Sequence, residues 1–294
     1  MKHSKTDILF QIVNYALLVT FTFCCFYPFY YIFIYSLSDA SEIAGNVSFA
    51  PVGLTLHNYT KIFELNDIGQ AFLISLLRTI TGTAITVFSC MLFSYLLTRK
   101  ELVARKLMYR SVIITLYFNA GLIPWYLTMR MYGLKDNFLL YILPSAIVGF
   151  FVILIKTFIE EMPIVLQESA MIDGAGYFRI FRSVIFPLAL PIAATIAVFQ
   201  SVGHWNAWTD NFFLVRDPHL QTLQMILWDY LNEAEFLAER MRDMTSMGNV
   251  SRVEMSPETI KMTITMIATL PILVVYPMLQ RYFVKGIMLG AVKG

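Results

Sequence analysis

Apolar residues in this chain fall in long blocks separated by short polar stretches. Six blocks are long enough to cross a bilayer, which takes about 20 residues of helix; they lie near 8–36, 70–98, 111–130, 138–158, 188–214 and 260–280. Lys2 and Lys5 precede the first, as in a signal peptide. Its apolar run is much longer than a signal core of roughly 7–15 residues and no small-residue cleavage site follows, so an uncleaved anchor helix is expected. The polar stretch Pro163–Pro191 between the fourth and fifth blocks reads as two short helices around a turn. Pro163 suits the first helical position, and Asp173-Gly174-Ala175-Gly176 supplies a stop, since Gly takes the left-handed conformation that ends a helix. A second apolar-periodic run, Tyr177 to Phe186, closes at Pro187 and Pro191. A mere linker needs no such order; the segment predicts docking.

Two further connecting stretches are larger. Residues 37–69 are turn-rich and predict a loop followed by a short surface helix. Residues 216–259 hold an amphipathic helix: Leu223, Ile226, Leu227, Tyr230, Leu231, Ala234 and Ala238 recur at helical spacing, with Gln224, Asp229, Glu233 and Glu239 on other faces. Such a helix lies on the membrane surface, packs on a partner, or lids this chain's own helices. The whole chain, 1–294, reads as a single transmembrane domain without internal repeats or low-complexity tracts.

Composition supports the pattern. The chain is 57% hydrophobic and 14% charged, with a mean hydropathy of +0.63. Average soluble domains carry about 25% charged residues, so an all-α polytopic membrane protein is expected. Cys24, Cys25 and Cys90 lie inside apolar runs and read as buried small hydrophobes, not as a disulfide or metal site. The net charge of +2 says less than its distribution. With both termini cytoplasmic, the inside segments hold 13 basic residues and the outside segments 7, and the short 99–110 loop carries most of the bias. The positive-inside rule therefore favours that orientation. It places the 159–187 loop in the cytoplasm and 216–259 outside.

Enzyme signatures are missing. No G-x-x-x-x-G-K-[ST] phosphate loop occurs, and His3, His57, His204 and His219 show no zinc-site spacing. No nucleophile has a recognisable base beside it. No catalytic residue, metal or nucleic-acid site is expected.

The loop carries a more specific pattern. Glu168-Ser169-Ala170-Met171-Ile172-Asp173-Gly174-Ala175, followed by Val184-Ile185-Phe186-Pro187, resembles the "EAA" loop of permease subunits of ATP-driven (ABC) importers. It departs in having Ser169 at the first small position and Phe186 before Pro187. Phe118–Pro124, Gly203–Trp208, Gln280–Gly286 and the final Gly290–Gly294 resemble carbohydrate-uptake permeases, nearest the lipo-oligosaccharide-type branch of the maltose-importer family. The resemblance covers nearly the whole chain. It implies a six-helix, type I ABC importer transmembrane domain in the plasma membrane, among lipid. It also implies a second permease as heterodimer partner, two ATP-binding subunits and an extracellular sugar-binding protein. ATP and Mg would be held by those ATPase subunits and no cofactor by this chain. Glu168, Ser169, Ala170, Asp173, Gly174, Ala175, Gly176 and Pro187 would couple to the ATPase, and the C-terminal tail would reach toward its interface. On physical grounds the small residues Ala170, Gly174, Ala175 and Gly176 let a short helix enter a partner's groove closely, while Glu168 and Asp173 are free to meet basic groups there or to serve as a solvated charge and a local cap.

Polar residues inside spans are costly and often functional. Arg78, about two turns into the second span, either snorkels or pairs inside the bundle. His204, Trp205, Asn206, Trp208 and Asp210 alternate aromatic and hydrogen-bonding groups, chemistry that suits a sugar and equally a membrane belt or helix contact. Asn119 and Pro124 mark either pathway chemistry or an interhelical hydrogen bond and a kink. The competing function is an ion- or proton-driven secondary transporter. Apart from Asp210 near a span end, the predicted spans lack carboxylate relays, which weighs against it.

Overall fold

The computed structural model describes residues 5–43, 49–65, 68–232 and 258–274, and all regular structure among them is helical. The chain divides into two compact units, Met1–Asp67 with Leu227–Leu270, and Ile68–Ile226 with Pro271–Gly294.

In the first unit, α1 (Lys5–Ser36) is one continuous helix with Pro28 inside it. At 1.5 Å per residue it is about 48 Å long, more than a hydrocarbon core of ~30 Å. Phe10, Leu17, Phe21 and Phe23 are exposed along it. A helix apolar all round and unburied is solvated by lipid or by another chain. Its end is tied down by polar side chains: after α2 (Ala40–Ile43) and a loop, α3 (His57–Leu65) brings Asn58 back to donate to the carbonyls of Ser36 at 3.0 Å and Ser38 at 2.8 Å. The Ser36 and Tyr59 hydroxyls meet at 2.7 Å. Carbonyls at a helix C-terminus lack partners of their own, and Asn58 supplies two donors where they are needed.

The second unit is built on α4 (Ile68–Thr98). It buries one stripe, Ser75, Arg78, Gly82, Thr86, Cys90 and Ser94, at successive spacings of three or four residues. Small residues on one face let neighbouring helices approach closely, and α7 (Gly149–Glu160) and α11 (Leu190–Asn206) pack there. Between α4 and α7 run α5 (Arg105–Tyr117), α6 (Leu122–Met131) and 3₁₀ turns at Phe138–Tyr141 and Leu143–Ser145. The stripe also repairs a break. The Leu143–Ser145 turn meets α7 at a 47° bend, and α4 satisfies the freed backbone there. Thr86 Oγ1 donates to Ser145 O at 2.8 Å, Cys90 Sγ accepts from Val148 N at 3.4 Å, and Ser94 Oγ donates to Val152 O at 2.9 Å. Irregular backbone at membrane depth is tolerated where protein supplies its hydrogen bonds.

Past α7 come α8 (Val165–Ile172), α9 (Tyr177–Ile180), a π-turn over Phe181–Ile185 and α10 (Phe186–Leu188). After α11, α12 (Thr209–Leu214) leads into a 3₁₀ turn at Pro218–Leu220. Further helices cover 223–232 and 258–274. Among the described residues two helical stretches, Asp7–Ser36 and Ile68–Thr98, are long and apolar enough to cross a membrane by themselves. Two bent pairs reach that length only together: Phe138–Ser145 with Gly149–Glu160, and Tyr177–Leu188 with Leu190–Asn206 at 78°.

Some expectations change in detail. The 111–130 block is two short helices separated at 118–121, and the break precedes Pro124, which sits harmlessly in the first turn of α6. Pro163 lies before Ile164, the N-cap of α8, so it opens the turn instead of occupying the first helical position. The run Tyr177–Phe186 is not one α-helix. Pro187 has no N–H for the Ser183 carbonyl, and the turn widens so that Phe186 N–H bonds Phe181 O, five residues back. The helix over 223–232 buries Leu223, Met225 and Ile226. The rest of the amphipathic pattern, from Glu233 on, and the C-terminal motifs at 280–286 and 290–294 lie outside the described residues.

Candidate functional site

Two regions carry the residues singled out by sequence, both in the second unit. The first is the α8–α9 segment. Its stop is a complete Schellman motif: Asp173 caps α8, Gly174 follows at φ +77°, Gly174 N–H bonds Met171 O at 3.0 Å, and Ala175 N–H bonds Ala170 O at 2.9 Å. Gly174 thus meets a conformational demand that other residues meet only with strain. Gly176 is the extended N-cap of α9, Ser169 Oγ bonds back to Val165 O at 2.8 Å, and Pro187 is exposed in α10.

Of the four small residues, Gly174 and Gly176 are exposed and two alanines are not. Ala170 and Ala175 turn inward, packed on the core formed by α4, α7 and the π-turn. Their size lets two short helices close onto this chain's own bundle. The outward face is larger and mostly apolar: Ile164 is 61% exposed, Ile172 86% and Phe178 60%, with Glu168 and Asp173 exposed among them. Beneath it, Phe181 is buried in aromatic contact with Phe88 and Tyr95 of α4, at ring distances of 6.1 and 5.6 Å. The segment therefore packs directly on α4.

The second region surrounds Arg78. Arg78 is 3% exposed, and its guanidinium forms a bidentate pair with Asp210, at 3.1 Å from Nη1 to Oδ1 and 2.5 Å from Nη2 to Oδ2. Nη1 also donates to Ala207 O at 3.1 Å, the carbonyl exposed where α11 breaks into α12. The guanidinium lies over the Tyr141 ring, 4.5 Å from its centroid. Tyr141 in turn donates to Leu220 O at 2.7 Å and accepts from Asn211 Nδ2. Arg78 therefore pairs inside the bundle; it does not snorkel. His204, also buried, contacts Gln200 at 2.9 Å across one turn of α11. The ring lies where a side chain on Gly82 would sit, since a Cβ there would be 2.4 Å from His204 Nε2. An open cavity of about 230 Å³ is lined by Arg78, Trp125, Tyr141, Ser145, Gln200, His204 and Asp210, among others.

The predicted pathway residues separate on this geometry. Arg78 and His204 line the cavity; Trp205, Asn206, Trp208 and Asn119 do not. Trp205 is buried edge-on against Phe72 at 5.8 Å, and Trp208 stacks edge-on with Phe212 at 6.0 Å, so both make helix contacts. Asn206 accepts from Gln224 at 3.4 Å on the exposed side. Asn119 accepts from Gly121 N at 2.9 Å, closing the turn between α5 and α6, and makes no interhelical bond among the described residues. Sequence reasoning missed Tyr141, Trp125 and Gln200, and also the Ser75–Ser94 stripe, whose four-residue spacing was a readable signal. Among the described residues no group of His, Cys, Asp and Glu is arranged to hold a metal ion.

No family model matches the chain. It is 35% identical over 289 residues to the polygalacturonan/rhamnogalacturonan transport system permease protein YtcP of Bacillus subtilis, covering 97% of this chain and 99% of that one. It is 27% identical over 274 residues to the melibiose/raffinose/stachyose import permease protein MelC of the same organism, covering 92% of each. Its fold matches a crystal structure of a bacterial ABC transporter involved in the import of the acidic polysaccharide alginate, at a TM-score of 0.85 and 27% identity over 96% of this chain and 99% of that one. With an all-α polytopic fold, an EAA-type segment and full-length relatives of this kind, the chain belongs to the sugar ABC transporter permeases.

Proposed function

We propose that this chain is one permease of an ATP-driven, binding-protein-dependent importer of an oligosaccharide. It forms half of the translocation pathway beside a second permease. Two ATPase subunits, which hold ATP and Mg, drive it from the cytoplasm, and an extracellular sugar-binding protein delivers the cargo. Both termini and the 163–187 loop are cytoplasmic, in the plasma membrane, and the chain itself performs no chemistry. The observation that carries this reading is the outward face of α8–α9, where Ile164, Ile172 and Phe178 stay exposed around Glu168. Apolar side chains grouped around a carboxylate on two short rigid helices suit a docking surface, and the Phe181 contacts to α4 give its displacement a route to the spans. The cargo class is supported by the relatives' names, which speak of polygalacturonan, raffinose and stachyose.

The Arg78–Asp210 pair argues against an ion-driven relay through Asp210, because that carboxylate is already held by a cation. The test is co-purification with the ATPase subunits and measurement of coupled ATPase activity. Glu168→Lys and Gly174→Leu are expected to reduce both while leaving the pairing with the sister permease intact. Unchanged binding and unchanged activity in both variants would sink the docking role.

A further inference from the structure

The cavity beside the Arg78–Asp210 pair is lined by side chains whose chemistry is specific enough to name an occupant. Resting on the importer reading above, we propose that it is a subsite for one uncharged pyranose ring of the cargo.

Size comes first. The volume of about 230 Å³ lies below the ~300–1,000 Å³ of pockets that enclose drug-sized ligands. It admits one ring and excludes a folded chain of several. Charge comes second. The lining holds one guanidinium and one carboxylate, and each neutralises the other through two hydrogen bonds. A sugar carboxylate entering here would place two anions on one guanidinium in a part-apolar site, and like charges disfavour each other's ionised forms there. A hydroxyl meets no such penalty.

Hydrogen-bonding capacity comes third. A sugar hydroxyl both donates and accepts. Gln200 Nε2 lies 2.9 Å from His204 Nε2 and carries a second N–H beyond that contact. Gln200 retains its amide oxygen, and Ser145 Oγ, which donates to Ile142 O at 3.3 Å, retains lone pairs to accept with. The half-buried indole of Trp125 provides a flat apolar surface for the C–H face of a ring. Gly203 lines the same space, and a Cβ on it would meet nothing within 4 Å. A side chain at 203 therefore starts out into open room.

The experiment uses the assembled importer, with both permeases, the ATPases and the binding protein, reconstituted in proteoliposomes. The probes are methyl gluco-, galacto- and mannopyranosides carrying a diazirine on the aglycone, mapped after photolysis by peptide mass spectrometry. ATP-driven uptake of the oligosaccharide that co-purifies with the binding protein is measured on the same preparation. Labelling is expected on peptides containing Trp125 or residues 200–210. At least one unlabelled neutral methyl glycoside should compete at concentrations about tenfold lower than the matching uronate, a ratio equivalent to about 1.4 kcal/mol. Gln200→Leu and Gly203→Leu should each cut the labelling about tenfold or more. Uptake with label confined to other sites, or with the uronate competing equally well, overturns the subsite and leaves the importer reading standing. Failure of the unmodified complex to take up the saccharide with ATP overturns the importer reading itself.

Discussion

Replacing Asp210 by Asn leaves a guanidinium in the bundle without its counter-charge. Arg78 is 4% exposed at the side chain and Asp210 16%, so neither is well solvated. Removing one partner of a buried pair costs about 3–5 kcal/mol, mostly as the penalty of the charge left behind. The lower end applies here, about 3 kcal/mol, because Arg78 keeps the Ala207 carbonyl and the Tyr141 ring face, the latter contributing ~0.5–2 kcal/mol. A chain of this size shifts its midpoint by about 2 °C per kcal/mol, which makes the expected loss ~6 °C. The assay is a thermal melt of the purified complex in micelles, followed by intrinsic fluorescence. Arg78→Gln is expected to lose a similar amount by burying the Asp210 carboxylate alone. The double variant Arg78→Gln/Asp210→Asn pairs two neutral amides and should lose no more than either single variant, which corresponds to a coupling energy of about 3 kcal/mol. Single variants that each move the midpoint by less than about 1 °C, with additive effects in the double, would refute the reasoning.

Three further outcomes follow from the same geometry. Gly82→Ala should cost about 1–3 kcal/mol and impair uptake by pushing on His204, and His204→Ala should relieve most of that cost; loss of uptake that persists in the double variant would place the defect elsewhere. Phe181→Ala should cost about 3–5 kcal/mol by opening a cavity under α9, read as a lowered melting midpoint, whereas Phe181→Leu should retain most of the stability. Asp136, in the loop before Phe138, has its carboxyl held below the usual carboxylate range, chiefly by the Arg216 backbone N–H. The folded-state value is the lower one, so its contribution is present above the ordinary carboxylate range and is lost as pH falls through the folded value. The amides of Arg216 and Asp217, which donate to Asp136 Oδ1 at 2.5 and 3.1 Å, should lose protection relative to their intrinsic exchange rate at the same pH, both in acid and in Asp136→Ala at neutral pH; equal protection in Asp136→Ala would remove the clamp.

What could be read from sequence was what depends on local pattern. The lengths of α1 and α4 followed from apolar runs, and the stop at Gly174 followed from a residue that alone takes φ +77° without strain. Arg78 and His204 stood out because charge and imidazole are rare inside apolar blocks. Their partners were not legible, since Asp210 lies 132 residues from Arg78 and Gly82 faces His204 from another helix. The aromatic cluster at 205–208 was ambiguous for the same reason. An aromatic ring suits a sugar, a membrane interface or a neighbouring ring, and only packing showed Trp205 on Phe72 and Trp208 on Phe212. The inward turn of Ala170 and Ala175 was hidden because a small residue serves close approach on either side. The break at 146–148 escaped hydropathy because Ala146, Ile147 and Val148 are as apolar as the helices they separate, and the one at 118–121 because Asn119 and Gly121 stand alone inside a long apolar block.

The central claim is that ATP hydrolysed by partner chains, acting through α8–α9, drives sugar across this chain's helices. It is tested most directly in proteoliposomes carrying the complete complex, loaded with ATP on the ATPase side and supplied with binding protein and its co-purifying oligosaccharide on the other. Uptake should require ATP, persist when ionophores abolish every ion gradient, and fall at least about tenfold in Glu168→Lys. Uptake that proceeds without ATP and collapses with the ion gradient would contradict the account.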